Sequence, residues 1–221
     1  METEGIVLKR KKLSNKLCYL SVFLDNSGKI DILAKIDLRR FPLSIEPFSI
    51  SNFKLKFTGE KPELVEVKLI KQNFPETLNR YRYLSLITGY MNRMVYAPNK
   101  KIYELSKFYL SIKNTFLLAS TMFLVKLSYF EGIYPQLYKC TSCNFESISG
   151  FSLEKGGVVC KNCMDTTTVT WNSNLSSGSD ILLKRSFNSL PIRKKEMLKK
   201  IRETFEKHID YRIGNEQTFE R

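Results

Sequence analysis

The sequence predicts an α+β chain built in parts: a small N-terminal five-stranded β-barrel, then an α-helical domain carrying an inserted four-cysteine zinc finger. Three observations predict it. Apolar and polar residues alternate through residues 5–71, the period of strands. After Phe74-Pro75 the apolar spacing changes to three and four, the period of a helix face. Cys140-Thr-Ser-Cys143 and Cys160-Lys-Asn-Cys163 then stand sixteen residues apart, the spacing of a metal-binding pair of knuckles.

Each expected element follows from local pattern. Gly5 to Leu8 is a first strand and leads into Lys9-Arg-Lys-Lys12. Leu17 to Leu24 is rich in strand formers, and Asn26-Ser-Gly28 turns the chain into a third strand, Lys29 to Ala34. Phe48 to Phe57 alternates apolar residues with Lys54 and Lys56; Glu60-Lys-Pro62 is a turn; Leu64 to Ile70 alternates again. A sheet this small must close or be covered to hide its edges. A five-stranded barrel of the OB type fits the count, and an SH3-like barrel fits the pattern nearly as well.

Pro75-Glu76 is a helix start, and Leu84, Ile87, Met91 and Met94 share one face. Pro98 to Lys101 breaks the chain. Ile102 to Phe130 reads as one or two further helices, and Phe116 to Val125, apolar nearly all round, should form the helical core. Gly132 and Pro135 end it. Beyond the cysteines, Thr166 to Trp171 reads as a strand, Asn172 to Asp180 as a Ser/Asn/Gly loop, and Pro191 to Tyr211 as the last helix, with Leu198, Ile201 and Phe205 buried and Gly214 as its stop. The expected boundaries are 1–74 for the barrel, 75–137 and 180–221 for the helical domain, and 138–179 for the inserted module.

Two knuckles can close four thiolates into a tetrahedron around one Zn²⁺. Disulfides would need an oxidising compartment, and nothing in the sequence points to one. Four cysteines leave no open position for water, so Cys140, Cys143, Cys160 and Cys163 are read as ligands of a structural metal. Cys18, in an apolar strand pattern, is read as a small buried residue.

The net charge is +14, from 36 basic and 22 acidic residues. A balance this basic attracts polyanions, nucleic acid first and an anionic membrane surface second. The polar start, Met1 to Gly5, leads into strand sequence, and Phe116 to Leu127 is too short to span a bilayer, so a cytoplasmic protein without a membrane partner is expected. Catalytic signatures are missing. There is no Gly-x-x-x-x-Gly-Lys phosphate loop, no His-Glu-x-x-His and no nucleophile elbow, and the single histidine, His208, reads as a surface or interface residue of the last helix. We therefore expect no enzyme.

The basic clusters carry more. Lys9, Arg10, Lys11 and Lys12 follow the first strand, and Lys35, Arg39 and Arg40 follow the third, so both groups fall at a barrel rim where they can track phosphates. Tyr19, Phe23 and Phe41 are candidate stacking platforms, although aromatics in strands are read first as barrel core.

Several stretches together are familiar. Gly5-Ile-Val-Leu-Lys-Arg10, Ala34-Lys35 with Arg39-Arg40, Leu124 to Tyr134, and Phe151-Ser152 with Gly156-Gly157-Val158 between the cysteine pairs occur in this order. The chain resembles the RecO family of bacterial DNA-repair recombination mediators, in its zinc-bearing branch. It departs from that family at Ile36, where a glycine is expected, and in placing Asp37 and Leu38 before the arginines, which stiffens the loop and lowers its charge. The resemblance implies an OB fold, a helical domain and a zinc finger. It implies binding of single- and double-stranded DNA, annealing of complementary strands, and no nucleotide hydrolysis. The implied partners are RecR, the acidic C-terminal tail of single-stranded-DNA-binding protein, and RecA, which the family helps to load. The competing reading is a zinc-ribbon protein whose charge docks it to a protein or ribosome partner without annealing DNA.

Overall fold

The computed structural model describes residues 1–40, 42–58, 61–94, 96–189 and 194–219, in two compact units, Met1–Phe116 and Leu117–Arg221. In the first unit, β1 (Glu2–Ser14), β2 (Leu17–Leu24), β3 (Gly28–Ala34), β4 (Ser49–Thr58) and β5 (Lys61–Gln72) close a barrel in the order β1-β2-β3-β5-β4. β4 returns to pair with β1 rather than with β3, and β3 meets β5 in parallel at Leu33 and Glu63. That Greek-key closure is an OB-type barrel; a meander would have placed β4 beside β3.

Alternation fills the barrel. Cys18, Leu20, Val22 and Leu24 of β2 point inward and meet Val7, Ile32, Ala34, Phe53 and Leu55. Cys18 is fully buried there, as its strand context suggested. The outward side of β2 is treated differently along its length. Phe23 is covered, its ring 6.0 Å from Tyr103, whereas Tyr19 is left 39% exposed.

The cover comes from α1 (Leu78–Met94) and α2 (Lys100–Leu110). α1 buries Leu84, Ile87 and Met91, the face its spacing predicted. The Asn99 side chain caps α2, accepting from the N–H groups of Lys101 and Ile102 at 3.1 and 3.2 Å. Glu4 of β1 then accepts from Tyr103 Oη at 2.8 Å and pairs with Lys107 Nζ at 2.7 Å. At the other end of that face, Lys29 Nζ donates to Asn92 O at 2.7 Å and lies over the Tyr96 ring.

The second unit is built on α3 (Phe116–Phe130), α4 (Ser173–Lys184) and α5 (Lys195–Phe219). α3 buries Met122, Phe123, Leu124, Val125 and Leu127 and is the helical core its composition predicted. Its one cation is used internally: Lys126 Nζ donates to Leu183 O at 2.5 Å, at the carbonyl end of α4. α5 buries Leu198, Ile201 and Phe205 as expected, and extends the stripe to Ile209.

Four expectations need correction. Lys9 to Lys12 do not follow the first strand; they lie within it, because β1 runs on to Ser14. Asn172 to Asp180 is not a loop but the start of α4. Asn172 caps it through Leu175 N–H at 3.1 Å, and the small residues face its neighbours: a Cβ on Gly178 would stand 3.2 Å from both Ile201 and Met197. Gly214 does not stop α5, which continues to Phe219. His208 is not at the surface; it is 2% exposed. Glu60 of the expected turn, Pro191 and Arg193 of the expected last helix, and Phe41 lie outside the described residues.

Candidate metal centre and nucleic-acid interface

The four cysteines meet in the second unit. Each knuckle is a tight backbone turn. Cys140 N–H donates to Phe145 O at 2.8 Å, and Asn144 N–H donates to Cys140 O at 2.9 Å with Asn144 in the left-handed region at φ 61°. Cys163 N–H closes the second turn on Cys160 O at 3.0 Å. The short strands β6 (Gly150–Ser152), β7 (Gly157–Val159) and β8 (Thr168–Val169) pair in the order β7-β6-β8 and hold the knuckles together. Thr141 N–H bonds Val158 O across the two, at 2.9 Å.

The four Sγ atoms lie within 4.8 Å of one another, and Cys143 Sγ is 3.7 Å from Cys160 Sγ. A disulfide needs about 2.05 Å. A tetrahedron with metal–sulfur bonds of about 2.3 Å has edges of about 3.8 Å, so the donor set fits a metal and not a disulfide. The proton affinities of the cysteines are spread apart. Burial pushes the Cys140 thiol up, but the N–H groups of Cys160, Cys143 and Ser142 outweigh it and bring it down to about 6. Hydrogen bonds shared with Cys160, Cys143 and Cys140 push Cys163 up to about 12. All four could ionise this close together only with a cation among them.

α5 grips this module from one side. His208 Nε2 donates to Ile133 O at 2.8 Å, and its ring stands edge-on to Phe151 at 5.5 Å. Burial holds its pKa below the ordinary value, consistent with a neutral imidazole in a structural post. One turn on, Arg212 Nη2 donates to Glu154 O at 3.2 Å, and the guanidinium fills the space where Gly156 lacks a Cβ. Gly156 itself has φ +70°. Phe151 also packs on Trp171, whose Nε1 donates to Ser176 Oγ at 2.9 Å.

The basic residues of the barrel are sorted by two irregularities in β1. From Ser14, paired with Leu17, the register shifts at Leu13 so that Lys12, Lys11, Arg10 and Lys9 face Cys18, Tyr19, Leu20 and Ser21. It shifts again at Leu8, so that Val7 meets Val22. Such bulges exchange the two faces of a strand. Lys9 and Lys11 are thereby placed on the outside, while Arg10 falls on the side of Leu20 and pairs with Glu46 at 2.5 Å.

Lys9 and Lys11 line one wall of an open groove of about 550 Å³ on the outer face of β1–β3. Tyr19 and Ser21 form its floor, and Asp31, Leu33 and Pro62 the opposite wall. Two cross-strand rows run through it, Lys11–Tyr19–Leu33 and Lys9–Ser21–Asp31. Ser21 Oγ donates to Asp31 Oδ1.

The second basic cluster sits at the end of the barrel. Ile36 N–H donates to Lys16 O at 3.1 Å and Leu38 N–H to Asn15 O at 2.9 Å, which ties the loop after β3 to the β1–β2 turn. Exposed Lys12, Lys16 and Lys35 stand around this tie. Arg39 and Arg40 are exposed too, but Asp37 engages both. Arg39 reaches it bidentately at 2.9 and 3.0 Å, and Arg40 at 3.9 Å. The Arg39 hydrogen bonds hold the Asp37 carboxyl down at about 2. Asp37, noted in sequence as lowering the loop's charge, thus acts directly on the two arginines.

Of the predicted basic residues, Lys9 and Lys11 share one site with Tyr19, Arg10 is committed to an ion pair, and Lys12 and Lys35 share the rim with Lys16. Ser21, Asp31, Pro62 and Lys16 were not singled out in sequence. Strand register brings Ser21 and Asp31 to the groove, and the tie between the loop after β3 and the β1–β2 turn places Lys16 at the rim.

Among the described residues no helix is long and apolar enough to cross a membrane. No family model matches the chain. Curated relatives do. The DNA repair protein RecO of Caldanaerobacter subterraneus subsp. tengcongensis is 30% identical over 179 residues, covering 75% of this chain and 72% of that protein. The DNA repair protein RecO of Alkaliphilus metalliredigens is 29% identical over 177 residues, 74% of this chain and 72% of its own length. That of Caldicellulosiruptor bescii is 24% identical over 217 residues, 86% of this chain and 87% of its own. With an OB-type barrel, a helical unit and a four-cysteine centre in this order, the chain belongs to the DNA repair protein RecO family.

Proposed function

We propose that this chain is a recombination mediator of bacterial DNA repair. It binds single- and double-stranded DNA, anneals complementary strands, and helps load RecA onto DNA covered by single-stranded-DNA-binding protein. RecR and the acidic C-terminal tail of single-stranded-DNA-binding protein are its partners, the cytoplasm its compartment, and catalysis no part of its role. The observation that carries the DNA-binding part is the groove of Lys9, Lys11 and Tyr19 on the uncovered face of the barrel. Cations beside an exposed aromatic suit a flexible polyanion with stackable bases. Lys12, Lys35, Arg39 and Arg40 extend the phosphate path along the rim, and a surface of net charge +14 lowers the repulsion between two strands held together.

One structural Zn²⁺ is held by Cys140, Cys143, Cys160 and Cys163. The all-thiolate donor set favours it over harder cations. Its role is to fold a module whose strands are only two or three residues long.

Annealing of a labelled oligonucleotide with its complement tests the reading. Acceleration by the protein, with single-strand affinity falling steeply as salt rises, is expected. Tight, salt-sensitive binding without acceleration would remove the annealing role. Absence of binding at physiological salt would favour the docking protein instead.

A further inference from the structure

The groove on β1–β3 contains a group that a purely electrostatic DNA track would avoid. Asp31 stands in the same cross-strand row as Lys9, with Ser21 between them. A carboxylate beside a phosphate path repels it, and placed among lysines it lowers affinity for any polyanion. Yet it is held in position: Ser21 Oγ donates to Oδ1, which orients the carboxylate across the floor of the groove. The adjacent row puts the 39% exposed Tyr19 between Lys11 and Leu33.

We infer that this groove is a slot for one unpaired nucleotide. Its base stacks on Tyr19, its flanking phosphates lie along Lys9 and Lys11, and its Watson–Crick edge is read by Asp31. The inference rests on the DNA-binding reading above. The volume of about 550 Å³ falls within the range of sites that take one small ligand. With phosphates drawn to the lysine wall, the base edge points at the opposite wall, where Asp31, Leu33 and Pro62 stand.

Asp31 is an acceptor and selects donors. Cytosine presents its N4 amino group to a carboxylate, and adenine and guanine also carry exocyclic amino groups. Thymine offers one N3–H between two carbonyl oxygens that a carboxylate repels. In a duplex these edges are already paired, so the slot takes single strands. The specific consequence is a preference for amino-bearing bases over thymine, set by Asp31.

Comparing cytosine with thymine keeps ring size constant and isolates the edge. Anisotropy of labelled dC and dT homopolymers on the full chain, near neutral pH, is the test. The wild type should bind the dC strand about threefold or more tightly. Asp31→Asn should bring the two together, with dT bound at least as tightly as before, because a repulsive charge has gone. Tyr19→Ala should weaken both strands about five- to tenfold through lost stacking. Circular dichroism and melting curves matching the wild type show that these exposed substitutions leave the barrel folded. Equal dC and dT affinities in the wild type, or a preference that survives Asp31→Asn, would overturn the slot. If binding still depended on Lys9 and Lys11, the general DNA-binding reading would stand. No binding to either strand would overturn both.

Discussion

Residues with the same charge take different roles here according to where the backbone places them. Arg39 is engaged bidentately by Asp37 and Arg40 more loosely, so the charge of both rim arginines is partly neutralised. Asp37→Asn should release both and strengthen single-strand binding about twofold at low salt, an effect that fades as the Debye length shrinks. Anisotropy titrations at two salt concentrations check this; unchanged affinity at low salt would take the arginines off the DNA path. His208 behaves in the opposite sense to an exposed histidine. Burial holds its pKa below 6.5, so the unfolded chain takes up a proton first as pH falls. Its contribution is therefore complete above about 6.5 and is lost as pH drops from there towards the folded value. Melts at about pH 7.5 and 5.5 should show a drop in the wild type that is smaller in His208→Gln. Equal drops would mean that other groups carry the acid sensitivity.

At the scale of elements, the metal module is the part that cannot stand alone. Its strands are far below the length that gives independent stability. A structural zinc supplies about 10–16 kcal/mol, comparable with the whole stability of an ordinary domain. Chelation should therefore unfold the module while the barrel strands persist. Trp171 is the only tryptophan, 2% exposed and packed on Phe151, so its emission should shift to the red when metal leaves. Cys140→Ser should do the same without chelator. Metal removal that leaves the emission unchanged would show that β6–β8 and the His208 and Arg212 contacts hold the module unaided. The four cysteines were legible in sequence because their ligand geometry is local, set by spacing within two short turns. α4 was not legible. Its Ser and Gly residues have the composition of a loop, and only the close approach of Ile201 and Met197 at Gly178 shows why small residues are needed in a helix there.

For the whole molecule, alternation marked out the barrel strands but not how they close. The choice between OB-type and SH3-like barrels depends on which strand β4 pairs with, a long-range fact outside any local pattern. The proposed DNA-binding groove was legible only in part for a related reason. Lys9 to Lys12 is one basic run in sequence, yet the irregularities at Leu8 and Leu13 decide which two of its residues share an open face with Tyr19. The most direct test of that site is the salt dependence of single-strand affinity in the wild type and in Lys9→Ala/Lys11→Ala. Each phosphate contact on a single strand contributes about 0.7 to the slope of log K against log salt. The double variant should bind more weakly and with a slope shallower by about 1.4. An unchanged slope and affinity would place the DNA elsewhere on the protein and contradict the assignment of the barrel groove.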